Sequence, residues 1–80
     1  MFVQIKVDRS LKDFIDPSFK SKDCIELDIG SDTTVEECLS ILGIKNPKEV
    51  VTLVNGRIKH RETTLEDGDE IQIYPLLIGG

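Results

Sequence analysis

The group in this sequence with the best claim to chemistry is the carboxylate of Gly80, which follows Gly79 at the end of the chain. Neither residue carries a Cβ, so such an end can thread a channel too narrow for other residues. Backbone N–H groups of a partner readily capture a C-terminal carboxylate. The carboxylate itself is a poor electrophile, because its charge is delocalised and oxide is a bad leaving group. It must be activated before it can be transferred or exchanged.

The other candidates are weaker. Glu66, Asp67, Asp69 and Glu70 crowd one turn, but a calcium loop spreads its ligands over about twelve residues. The cluster reads as a solvated turn. His60 is the single histidine and lacks a partner at metal-ligand spacing; it reads as a surface residue, and no metal site is expected. Arg57, Lys59, His60 and Arg61 form a small basic run, of the kind that is most often a solvated face. Cys24 and Cys38 lie far apart with no CxxC pair. The plain reading is two buried, reduced thiols, Cys38 on an apolar helix face and Cys24 at the start of a strand, where partial exposure is possible. No Ser-His-Asp set, glycine-rich phosphate loop or carboxylate pair is evident, so the chain is not expected to be an enzyme by itself.

The elements that must present Gly80 follow from periodicity. Val3, Ile5 and Val7 alternate with Gln4 and Lys6, as in a half-buried strand, and Ile25, Leu27 and Ile29 repeat the pattern. Between them, Ser10 as a cap and Leu11, Phe14 and Ile15 on one face predict a short helix that Asp16-Pro17 stops. Thr34 followed by Glu37 predicts a capping box. Val35, Cys38, Leu39 and Leu42 fall at the i, i+3, i+4, i+7 spacing of a buried helical face. Gly43 is placed for a left-handed cap, with Ile44 meeting Leu39. Val50–Val54 is a strand, Asn55-Gly56 a hairpin turn, and Arg57–Lys59 a short return. Leu65 plugs the core, Glu66–Asp69 turns, and Ile71 and Ile73 mark a last strand that Pro75 should end near Tyr74. This order predicts an α+β roll, one helix lying across a mixed sheet whose first and last strands pair in parallel. The predicted core is Val3, Ile5, Ile25, Leu27, Val35, Leu39, Leu42, Leu53, Ile71 and Ile73.

A chain of 80 residues suits one small domain. Its formal net charge of -5 argues against nucleic acid or an anionic membrane as principal partner, since both reward clustered Lys and Arg. No apolar run is long enough to span a bilayer, and the N-terminus lacks the pattern of a signal peptide. A cytoplasmic location is expected.

The run Leu65-Glu66-Asp67-Gly68-Asp69-Glu70-Ile71, then Tyr74-Pro75, then terminal Gly79-Gly80, resembles the small sulfur-carrier branch of the ubiquitin-like proteins. That branch includes the small subunit of molybdopterin synthase and the thiamine-pathway sulfur carrier. The resemblance covers the whole chain and is most specific from Leu65 onward. It implies a β-grasp domain over residues 1–75 and a tail over 76–80. It also implies that an E1-like adenylating enzyme uses ATP to adenylate Gly80, and that a sulfur nucleophile then displaces AMP to leave a thiocarboxylate. Pro75, Leu76, Leu77, Ile78 and Gly79 would be gripped by the partner, and the chain itself would hold no cofactor. The Ser10–Ile15 element is similar to the molybdopterin subunit, whose large catalytic subunit would be a further partner. Leu76-Leu77-Ile78 departs from that subunit, which more often shows a second proline and a smaller residue there. The thiamine pathway, related molybdenum or tungsten cofactor carriers, and a protein modifier joined to lysines through Gly80 therefore stay open.

Overall fold

The structure is a computed structural model and describes residues 1–76. Strand β1 (Phe2–Val7) buries Val3, Ile5 and Val7 and exposes the residues between them. Strand β2 (Ile25–Asp28) does the same with Ile25 and Leu27 and pairs antiparallel with β1, Val3 opposite Leu27. Helix α1 (Val35–Leu42) follows, then β3 (Val50–Val54), β4 (Arg57–Ile58) and β5 (Glu70–Pro75). The sheet order is β2-β1-β5-β3-β4. The parallel pair joins the first and last strands, with Ile5 opposite Ile71 and Val7 opposite Ile73. This is the β-grasp arrangement expected from the sequence.

Helix α1 is bounded as its sequence predicts. Thr34 Oγ1 accepts from the Glu37 N–H at 3.2 Å and donates to Glu37 Oε1 at 3.2 Å. The exposed N–H groups of the first turn find carbonyls in a distant loop, Val35 to Thr63 and Glu36 to Arg61, each at 2.9 Å. Gly43 ends the helix at φ +95°, and the Ile44 N–H reaches back to Leu39 O at 2.9 Å. A Cβ on Gly43 would lie 2.8 Å from the Asp16 backbone nitrogen. That close approach lets the Asp16 N–H bond Leu42 O at 2.8 Å.

Three expectations are corrected. The segment after β1 is a 3-10 helix, Arg9–Phe14, and its cap is Asp8, whose carboxylate accepts from the Ser10 N–H at 3.1 Å. Leu11 and Ile15 are buried but Phe14 is 71% exposed; it closes the helix at the rim of the groove that Leu11 lines. Leu53 is only half-buried, while Thr52 and Val54 face the core. Asn55 and Gly56, both at positive φ, fix the hairpin, and Val54 then lies opposite Ile71 and Thr52 opposite buried Ile73. Side chains alternate between faces, so Leu53 is turned outward. The acidic turn is also not wholly solvated, since Asp69 is buried. Leu65 plugs the core at 2% exposure.

Candidate functional site

Strand β5 leads the chain toward the candidate C-terminal site. Pro75 lies opposite Val50, and the next N–H, that of Leu76, donates to Glu49 O at 2.9 Å. Pairing therefore runs past Tyr74, and the geometry explains why proline is tolerated. Backbone groups of alternate residues point to opposite neighbours. Ile73 O accepts from Asp8 N–H on the β1 side, whereas Leu76 N–H points to the β3 side. Pro75, which has no N–H, thus turns its nitrogen toward β1, which has already ended at Val7. Leu77, Ile78, Gly79 and Gly80 lie outside the described residues.

The root of the tail adjoins the sheet face that α1 leaves uncovered. The register carries Lys6, Gln72, Leu53 and Ile58 across this face in one row, with Tyr74 opposite Val51 in the next. Val51 and Leu53 are half-buried; Tyr74 is 39% and Ile58 73% exposed. The result is an apolar strip ending at Leu76, itself 43% exposed. The sequence pattern does not reveal this strip, because hydrophobicity alone places Leu53 in the core. The available signal was the second apolar set of β3, Val51 and Leu53, left over once Thr52 and Val54 face inward.

Two turns hold the other end of β5. Asn55 Nδ2 donates to Asp69 Oδ1 at 2.9 Å, and Asn55 Oδ1 accepts from the Glu70 N–H at 3.0 Å. Asp69 Oδ2 accepts from the Glu66 N–H at 2.8 Å, closing the acidic turn on itself. Asp67 Oδ1 accepts from the Phe2 N–H at 2.8 Å, and Gly68 N–H donates to Phe2 O at 2.8 Å. Asp67 and Asp69 thus tie the start of β5 to β1 and to the β3–β4 turn. No group of three or more His, Cys, Asp or Glu among the described residues is placed to hold a metal.

The thiols differ. Cys38 is buried, and desolvation pushes its pKa up to about 11; Cys24 is exposed, so the expectation of two buried thiols holds for one. His60 is exposed, its Nδ1 3.8 Å from Glu62 Oε2. No described helix is long and apolar enough to cross a membrane.

Known proteins share this architecture. The ThiS family's sequence model matches residues 20–80. SAMP1 from Haloferax volcanii superposes with a TM-score of 0.71 at 16% identity, over 100% of both chains. A second structure of that organism's small archaeal modifier protein 1 gives 0.75 at 17% identity, over 95% of this chain and 98% of the other. A chain from the complex of subunits 1 and 2 of the molybdopterin-converting factor of Helicobacter pylori 26695 gives 0.60 at 21% identity, over 100% of both. At these identities the likeness establishes the fold. No curated protein sequence matches the chain.

Proposed function

The chain belongs to the ThiS family, and on that premise we propose that it is a sulfur carrier whose Gly80 carboxylate is the carrying group. An E1-like adenylating enzyme would bring ATP; the Gly80 carboxylate attacks the α-phosphorus, pyrophosphate leaves, and a mixed anhydride forms. A sulfur nucleophile then displaces AMP and leaves the thiocarboxylate. This protein contributes the handle: a rigid sheet that holds the tail root at Leu76, and an apolar strip for the partner to bind. Placement of the sulfur beside its acceptor then does much of the rate enhancement. The observation that carries the reading is the family match extending through Gly79 and Gly80.

Delivery to molybdopterin is the favoured use. It is supported by the inserted segment Arg9–Phe14 and by the fold shared with the Helicobacter complex, whose second subunit suggests the kind of larger partner this chain would have. A second reading is a protein modifier that acylates lysines through the same activated Gly80. The likeness to small archaeal modifier protein 1 favours it.

Incubation with the cognate adenylating enzyme, ATP and a sulfur source, followed by intact-mass analysis, separates the readings. A mass gain of one oxygen-to-sulfur exchange on the peptide ending in Gly80 is the expected result. Absence of that species, with Gly80 found joined to lysines in the native host, would replace the carrier by the modifier.

A further inference from the structure

The chain is acidic overall, yet its charge is divided. Residues 45–61 hold half of the ten Lys and Arg and a single one, Glu49, of the fifteen Asp and Glu. Lys48, Lys59, His60 and Arg61 converge on one depression of about 540 Å³, whose other lining residues are Pro47, Val50 and Ile58. Among the described residues the ion pairs are Met1 with Asp28, Lys20 with Asp13, and His60 with Glu62. None of them engages Lys45, Lys48, Arg57, Lys59 or Arg61.

The backbone that carries these cations is fixed from several sides. Lys59 N–H donates to Thr52 O at 3.0 Å, Thr63 N–H to His60 O at 3.0 Å, and Arg61 O accepts from the first turn of α1. The fixed backbone limits the ordering that a ligand must impose to that of the lysine and arginine side chains. Ile58, 73% exposed between Arg57 and Lys59, adds an apolar contact that solvation of the charges does not require.

We propose that this depression binds a short acidic segment of a partner protein, extended and carrying one apolar side chain toward Ile58. Complementary charge selects the segment and speeds the encounter. The lining fits a peptide better than nucleic acid. It offers no Phe, Tyr or Trp on which a base could stack, and the acidic remainder of the surface repels a long polyanion. The site is also close to the tail root, since Val50 lies opposite Pro75, so a protein that grips the tail can reach it in the same contact.

The test is an NMR titration of the full chain with an acetylated octapeptide of Asp and Glu around a central Leu. Binding needs no activation of Gly80, so this inference and the carrier reading fail separately. Saturable shifts confined to residues 47–50 and 57–61 are expected, and they should weaken as salt rises. Lys48→Glu with Lys59→Glu should weaken the affinity at least tenfold, while Lys20→Glu with Lys22→Glu leaves it unchanged. The proposal is overturned by shifts spread over the whole surface, or by affinity within twofold of the parent after the Lys48 and Lys59 reversals. Loss of solubility alone in that variant would mean that the cations only guard an edge strand. Tighter binding of a single-stranded RNA of equal charge at the same residues would also overturn it.

Discussion

The side chain of Asn55 clamps Asp69 across the sheet, its amide nitrogen 2.9 Å from Asp69 Oδ1. The two residues belong to different turns, one closing the β3–β4 hairpin and the other opening β5. Their bond, with that from Asn55 Oδ1 to the Glu70 N–H, sets where β5 begins and hence where it delivers the tail.

Asp69→Ala should therefore destabilise the fold by about 1–2 kcal/mol, because it strips partners from the Glu66 N–H and the Asn55 amide in a part-buried setting. Asn55→Ala should cost a similar amount, and the double variant less than the sum of the two. Urea unfolding of the three variants measures the coupling. Additive losses would show that the two turns act independently.

Gly43 and Gly68 both sit at positive φ, but only Gly43 is crowded. Gly68→Ala should cost about 1–2 kcal/mol for the left-handed backbone alone. Gly43→Ala adds a clash with the backbone of Asp16, worth roughly another 1–3 kcal/mol. Thermal unfolding of the pair is the check, and equal losses would contradict the packing described.

The cysteines should differ in reactivity. At neutral pH an alkylating reagent should modify Cys24 in the folded protein and reach Cys38 only on unfolding. The raised pKa of Cys38 also fixes a sign. Between 9.0 and about 11 the unfolded thiol ionises while the folded one does not. The unfolded state then binds fewer protons, and stability falls as pH rises through that window. Cys38→Ser should flatten this alkaline decline, which pH-dependent urea titrations would reveal.

Acid acts on different groups. The Ser10 hydroxyl and N–H hold the Asp8 carboxyl below its usual value of 3.8, and the Ser18 N–H and hydroxyl do the same for Asp16. Their contribution is present above 3.8 and is lost as pH falls through the lower folded values. Asp8→Ala with Asp16→Ala should lower the urea midpoint at neutral pH and reduce its further fall in acid.

The outward strip can be separated from stability. Ile58→Ala should change unfolding free energy by at most about 0.5 kcal/mol, because its side chain is largely exposed, and Tyr74→Ala, which removes a side chain only 39% exposed, by about 1 kcal/mol. If the adenylating enzyme docks there, kcat/KM for activation should fall about tenfold in each, the loss of one well-packed interface contact. Unchanged activation would move the docking surface elsewhere.

Much of this architecture was legible because local signals and global packing agree. The alternation of β1 and β2, the Thr34 and Gly43 boundaries of α1, and the Asn55-Gly56 turn each have a local cause that the tertiary structure reinforces. Legibility failed where two apolar sets compete. In Val50–Val54 every residue but Thr52 is apolar, so hydrophobicity favoured burying Leu53, whereas pairing with Ile71 and Ile73 buries Thr52 and Val54. The segment after β1 deceived for another reason: its apolar residues suited a 3.6-residue period, but its backbone winds at about three residues per turn. Of the candidate site, the sequence could not show that Glu49 holds Leu76, because that contact involves only backbone atoms.

The placement of β5 between β1 and β3 has a consequence for how the molecule is made. Synthesis produces β1 first and β5 late, yet Ile5 must find Ile71 before the sheet has a centre. Closing so long a stretch of chain costs entropy before any contact rewards it. A nascent chain that stops before Glu70 has two hairpins with nothing between them, and α1 lacks the Thr63 and Arg61 carbonyls until that loop has docked. Folding therefore waits for the strand that leads to the tail, so the assembled sheet presents the tail root as soon as it forms.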